Sequence, residues 1–147
     1  MANNYTQTST FINIPPGKLD RAREICEALE EYLEWDDEDG YCGVSWEVQD
    51  QGVWLTGDES ANIDHAEMLV RALVEELELN PVILSWADTC SRPRIDEFGG
   101  GAFLVQRGYP TFWVEPMATC MKEMLSRKDR TDHKPIGYVH PWDAREN

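Results

Sequence analysis

The chain has 147 residues, 41% of them hydrophobic and 28% charged, with a formal net charge of −15. That length fits one domain with a core of its own, and the composition excludes disorder throughout. Apolar runs of about five residues exclude a membrane-spanning helix, which needs about 20.

The amino terminus is polar and lacks the basic-then-apolar order of a secretory signal. Four cysteines, at 26, 42, 90 and 120, form no CxxC pair. They read as free thiols of a reducing, cytoplasmic compartment. Residues 1–88 hold 20 acids and 4 bases, a net of −16, whereas 89–147 hold 8 acids and 9 bases. Such a field argues against direct nucleic-acid binding, which relies on Lys and Arg to neutralise phosphates, and favours a basic partner.

In chain order, Thr8 to Ile14 is β-branched and aromatic and predicts a strand ending at Pro15-Pro16-Gly17. From Lys18 to Trp35 the residues Leu19, Ala22, Ile25, Cys26, Leu29, Tyr32 and Leu33 recur at three-four spacing, which predicts an amphipathic helix. Cys42 to Gln49 alternates, with Val44, Trp46 and Val48 on one face, and Val53 to Thr56 returns after the Asp50-Gln51-Gly52 turn. A second helix starts near Asn62, a capping residue, with Leu69, Val70, Leu73 and Leu77 in its buried stripe. Val82 to Ala87 is apolar on both faces, the pattern of an interior strand. A fifth strand spans Ala102 to Gln106, Thr111 to Val114 is extended, and Pro116 opens a third helix through Arg127. That helix is expected to turn Met117, Cys120, Met121, Met124 and Leu125 inward.

Strands and helices in this order predict an α+β fold, the ferredoxin-like β-α-β-β-α-β plait with an added fifth strand and a C-terminal helix. The expected spatial order of the strands, numbered along the chain, is 5-4-1-3-2. The expected organisation is a single domain over 1–147, with a core over 8–127 and a polar tail over 128–147.

Two constellations carry chemistry. The first is the long connection that packs Asp88, Cys90, Ser91, Arg92, Arg94, Asp96 and Glu97 ahead of Gly99, Gly100 and Gly101. Its arginines fit a carboxylate or phosphate fork, its glycines an anion nest, and Cys90 a nucleophile if one of His65, His133 or His140 approaches. The alternative is an internal salt-bridge network in which Arg92 and Arg94 neutralise the acids and the glycines form a bulge.

The second is the outer side of the first helix. Asp20, Glu24, Glu27, Glu30, Glu31 and Glu34 line it, and Asp36, Asp37, Glu38 and Asp39 follow. Bases at its amino end and acids at its carboxyl end oppose the helix dipole, a mismatch of about 1–2 kcal/mol over such pairs. Local rules broken without local gain mark places where function is expected. No nucleotide, zinc or EF-hand motif is present, so neither metal nor cofactor is expected.

The segment Ser85-Trp86-Ala87-Asp88-Thr89-Cys90-Ser91, continuing to Gly101, resembles small acidic α/β proteins of phages, prophages and their bacterial hosts. So does Trp54-Leu55-Thr56-Gly57-Asp58-Glu59-Ser60, and the likeness covers roughly residues 44–107. It brings no established activity, and it implies a mobile-element accessory protein. The leading expectation is therefore a non-enzymatic protein whose acidic surface binds a basic, nucleic-acid-binding host factor, for instance of host defence, as a nucleic-acid mimic. The rival is a small enzyme or ligand-binding module using the Asp88–Gly101 loop. A homo-oligomer through exposed sheet edges is a third reading.

Overall fold

The computed structural model describes residues 4–38, 40, 42–91, 99–129 and 137. The chain divides into two units, Met1–Pro116 and Met117–Asn147.

In the first unit, β1 (Asn4–Asn13) leads through a short 3-10 turn into α1 (Leu19–Asp36). β2 (Ser45–Gln49) and β3 (Gly52–Gly57) form a hairpin, and α2 (Ile63–Leu77) returns the chain to β4 (Val82–Cys90). β5 (Gly99–Val105) and β6 (Phe112–Val114) complete one antiparallel sheet, in the order β2-β3-β1-β4-β5-β6. The sequence predicts five strands; the sixth is the extended Phe112–Val114, paired to β5 through Phe103↔Trp113.

Both helices pack on the same face of this sheet. The core joins Ala22, Ile25, Cys26 and Leu33 of α1 and Leu69, Val70, Leu73 and Leu77 of α2 to Ile12, Val53, Leu55, Leu84, Phe103 and Val105 of the strands. Each large side chain enclosed this way contributes about 1.5–3 kcal/mol. Among the described residues no buried side-chain nitrogen or oxygen lacks a hydrogen bond. Thr8, the buried polar residue of β1, donates Oγ1 to the Ser85 carbonyl at 2.8 Å, just past the last β1–β4 pair, Thr8↔Trp86.

Asn62 caps α2 as its residue type predicts, its side chain accepting the His65 N–H at 3.1 Å. The other end of α2 is served by α1. Lys18 donates Nζ to the Leu77 carbonyl at 2.6 Å, and Arg21 reaches Glu76 at 3.2 Å. The bases that oppose α1's own dipole therefore complement that of α2, because the two helices run in opposite directions. This resolves half of the charge mismatch expected on α1, and its acids are taken up below. A further cluster ties the β5–β6 turn to α2: Arg71 pairs with Glu75 at 2.9 Å and Thr111 at 2.8 Å, and Gly108 donates its N–H to Glu75 at 3.1 Å. That amide, followed by Arg71, holds the Glu75 carboxyl below its usual range.

Three expectations about burial change. β4 lies inside the sheet between β1 and β5, yet Ile83 on its outer face is 68% exposed. Among the described residues of the first unit, no second layer covers that run of apolar residues. Tyr32, expected in the α1 stripe, is 49% exposed, since it sits at the margin of the buried arc. In the second unit, α3 (Pro116–Asp129, whose first residue belongs to the first unit) has Met117, Cys120, Met121, Met124 and Leu125 all exposed. Three-four spacing marks a face able to pack; it does not supply the surface that would cover it. Among the described residues no helix is long and apolar enough to cross a membrane.

Candidate functional site

The carboxylates of α1 form a line on the side away from the core. At about 3.6 residues per turn, Asp20, Glu24, Glu27, Glu31 and Glu34 fall within about 80° of arc, opposite Ala22, Cys26 and Leu33, and extend about 21 Å along the axis. Glu24 pairs with Arg21 at 3.1 Å. Glu30 lies off the line, half-buried, and accepts the Trp46 indole N–H at 2.5 Å, so its role is structural. Among the described residues Glu27, Glu31, Glu34, Asp36 and Glu38 are exposed and make no ion pair. Asp37 is half-buried and ends the helix, its N–H bonded to the Leu33 carbonyl at 3.1 Å. Asp39 lies outside the described residues.

Trp35 stands beside that arc, about 20° past Glu24, and is 81% exposed. An indole this open, surrounded by carboxylates, is costly to leave in water and is the residue type most enriched among binding hot spots. In the sequence it enters only as the last residue of the helix, outside the apolar stripe that ends at Leu33; the signal available is its position, one residue past Glu34 and one turn past Glu31.

Sheet topology gathers more acids at one end of the unit. The antiparallel ladders bring together the start of β1, the ends of β3, β4 and β6, and the connections flanking β2 and α2. Thr6 binds that end together, with its N–H on the Glu59 carbonyl at 2.8 Å, its carbonyl accepting from Ala61 at 3.0 Å, and its hydroxyl on Asp88 at 2.8 Å. The Gly43 carbonyl accepts from Asn62 N–H at 2.9 Å, and Gly43 N–H donates to His65 Nδ1 at 3.0 Å, joining the α1–β2 connection to it. Asp36, Asp37, Glu38, Asp58, Glu59, Asp64, Asp88 and Glu115 all belong to this end. The described Lys and Arg residues of the unit (Lys18, Arg21, Arg23, Arg71 and Arg107) lie on the other side of the fold, or on helix segments that face it.

A cleft of about 480 Å³ opens there, lined by Thr6, Asp64, Asp88 and Glu115 together with Trp86 and Trp113. The two indoles stand 6.1 Å apart at 70°, making an aromatic corner. Carboxylates beside aromatic faces suit a cationic head on an apolar stem. Among the described residues no set of three His, Cys, Asp or Glu side chains is arranged to hold a metal ion.

The polar connection is placed in part. Asp88 and Cys90 extend β4, and Gly99, Gly100 and Gly101 begin β5, paired as Asp88↔Gly99, Ala87↔Gly100 and Trp86↔Gly101. Ser91 follows β4 in a bend. Arg92, Arg94, Asp96 and Glu97 lie outside the described residues. The glycines acquire a packing explanation. A Cβ on Gly101 would come within 2.7 Å of the Trp86 ring and 2.4 Å of the Val114 carbonyl, and Gly100 has φ +145 with Trp86 O at 2.4 Å from such a Cβ. Gly99 has room, its nearest contact being Asp88 Oδ2 at 3.7 Å. So two of the three glycines serve the seating of Trp86 in the sheet. Cys90 is half-buried and in no disulfide, and His65 spends Nδ1 on the Gly43 amide. Burial, with Glu30 and Glu27 nearby, pushes the Cys26 thiol up to about 12, and Cys42 is also raised, chiefly by burial. Both are poor nucleophiles.

No family model, curated protein or solved structure matches the chain.

Proposed function

We propose that this chain is a non-enzymatic interaction protein that captures a basic protein surface, with Trp35 as the anchor and the α1 carboxylates and acidic end around it. The observation that carries this reading is the open Trp35 indole among Glu27, Glu31, Glu34, Asp36 and Glu38, none of which has an ion-pair partner among the described residues. Aromatic anchors ringed by charge that find their partners only on binding are the usual anatomy of a protein interface. A guanidinium from the partner stacks on Trp35, and the Trp86–Trp113 cleft, with Asp64, Asp88 and Glu115, takes a second basic side chain.

The partner class is a nucleic-acid-binding protein of the host, because a line of carboxylates competes for the Lys/Arg groove that binds phosphates. The likeness of residues 44–107 to phage and prophage proteins supports a mobile-element accessory role in the cytoplasm. The fold assignment behind this reading is the ferredoxin-like plait, supported by the run β4-β1-β3-β2 with both helices on one face; such a fold prescribes no activity by itself. The test is retention of host proteins on the immobilised chain, compared with a Trp35→Ala chain of unchanged circular dichroism. Retention of a basic protein that drops at least about tenfold in the variant supports the proposal. Equal retention by both chains refutes it.

A further inference from the structure

We infer that the uncovered face of the sheet is a self-association surface, and that its occupant is the same face of a second copy of this chain. Side-chain alternation sorts each strand into an inner and an outer set. On the outer side Phe11 and Trp54 pair across β1 and β3. Ile83, Leu104 and Phe112 form a row across β4, β5 and β6, with Val114 on β6 beside Ala102. Ile83 is 68% and Phe112 62% exposed. Both helices lie on the opposite face, so no described element of the first unit covers these residues.

The occupant is argued from charge. Residues 1–116 carry 23 acids and 7 bases, yet among the outward positions of the six strands Glu47 alone is charged. Two copies approaching by α1 or by the acidic end would set carboxylate against carboxylate, which costs several kcal/mol at an interface. Through the sheet face they meet with apolar and neutral polar groups, and a two-fold axis gives both copies the same contact in a closed dimer. A nucleic acid stacking on Phe11 and Trp54 would need flanking cations that this face lacks. The dimensions agree. Strands about 4.8 Å apart, rising about 3.3 Å per residue and three to ten residues long, give an outer face on the order of 600 Å² in projection, near the roughly 800 Å² per partner of a standard interface.

The inference is independent of the acidic surface, whose residues lie elsewhere. The experiment is light scattering with the full chain across a dilution series, alongside Ile83→Lys, Phe112→Lys and Met121→Lys, the last on the exposed face of α3. All three positions are exposed, so near-native circular dichroism is expected. The inference predicts twice the monomer mass for the unaltered chain and for Met121→Lys. The two sheet variants should raise the dimer dissociation constant at least about tenfold. A monomer at every concentration overturns it. So does a dimer indifferent to both sheet variants, or one dissolved by Met121→Lys alone.

Discussion

Gly101→Ala is the most sharply defined perturbation in the first unit. The added methyl would sit 2.7 Å from two atoms of the Trp86 ring and 2.4 Å from the Val114 carbonyl oxygen. Ordinary contact begins near 3.4 Å, so the indole must withdraw by about 0.7 Å and the Val114 carbonyl of β6 must shift by about 1 Å. Neither is free to do so. Trp86 meets Trp113 edge-on, and Trp113 lies 5.1 Å from Phe103, which is 1% exposed. Overpacking of this kind costs about 1–3 kcal/mol. With a urea m-value of about 2 kcal/mol/M, the midpoint should fall by about 0.5–1.5 M. Near-UV circular dichroism should change as well, since the tryptophan pair is disturbed. Gly99→Ala is the internal control: its nearest neighbour would be Asp88 Oδ2 at 3.7 Å, and the expected change stays within about 0.5 kcal/mol. Equal midpoints for Gly101→Ala and the unaltered chain would refute the reasoning and restore an anion nest as the explanation of the glycine run.

Two further outcomes follow from the helices. Asn62→Ala removes the acceptor of the His65 N–H and should cost about 1 kcal/mol in urea unfolding, with no change in m-value. The Cys26 thiol, at about 12 in the folded chain against 9.0 as its ordinary value, holds its proton more tightly when folded. Its contribution to stability is therefore complete below pH 9 and is lost as pH rises from 9 toward 12. The stability difference between the unaltered chain and Cys26→Ala should shrink over that window, and a thiol reagent at neutral pH should label exposed Cys120 well before Cys26.

Much of the first unit is legible in the sequence because its physics is local. Three-four spacing in Ala22 to Leu33 and Leu69 to Leu77 identifies both helices, and alternation in Val44, Trp46 and Val48 identifies the hairpin and its inner face. Burial is less legible wherever the covering surface is absent. Ile83 on the sheet, and Met117 and Met121 on α3, read as core from spacing alone, since an apolar residue carries no mark of whether a second layer exists. The charge on α1 shows a different limit. Lys18 and Arg21 appear misplaced until α2 is seen to end beside them, because the helix they serve is about 59 residues away along the chain. The acids of Glu27 to Glu34 are legible as a line, but Trp35 is not legible as an anchor, because a helical wheel that puts it on the acidic side does not show whether another surface covers it. The glycine run admits an anion nest or a structural bulge, and only the cross-strand approach of Trp86 shows the contacts that exclude a side chain at Gly101.

The account stands most directly on one measurement: retention of host proteins on the immobilised chain, repeated with Glu27→Lys, Glu31→Lys and Glu34→Lys combined and with added duplex nucleic acid as competitor. Glu30 is left intact, because it holds Trp46. The account predicts a basic, nucleic-acid-binding protein retained at low salt, released as screening shortens toward about 3 Å near 1 M, absent from the reversed chain and displaced by the competitor. The same protein retained equally by the reversed chain, or held in the presence of excess duplex, would contradict it.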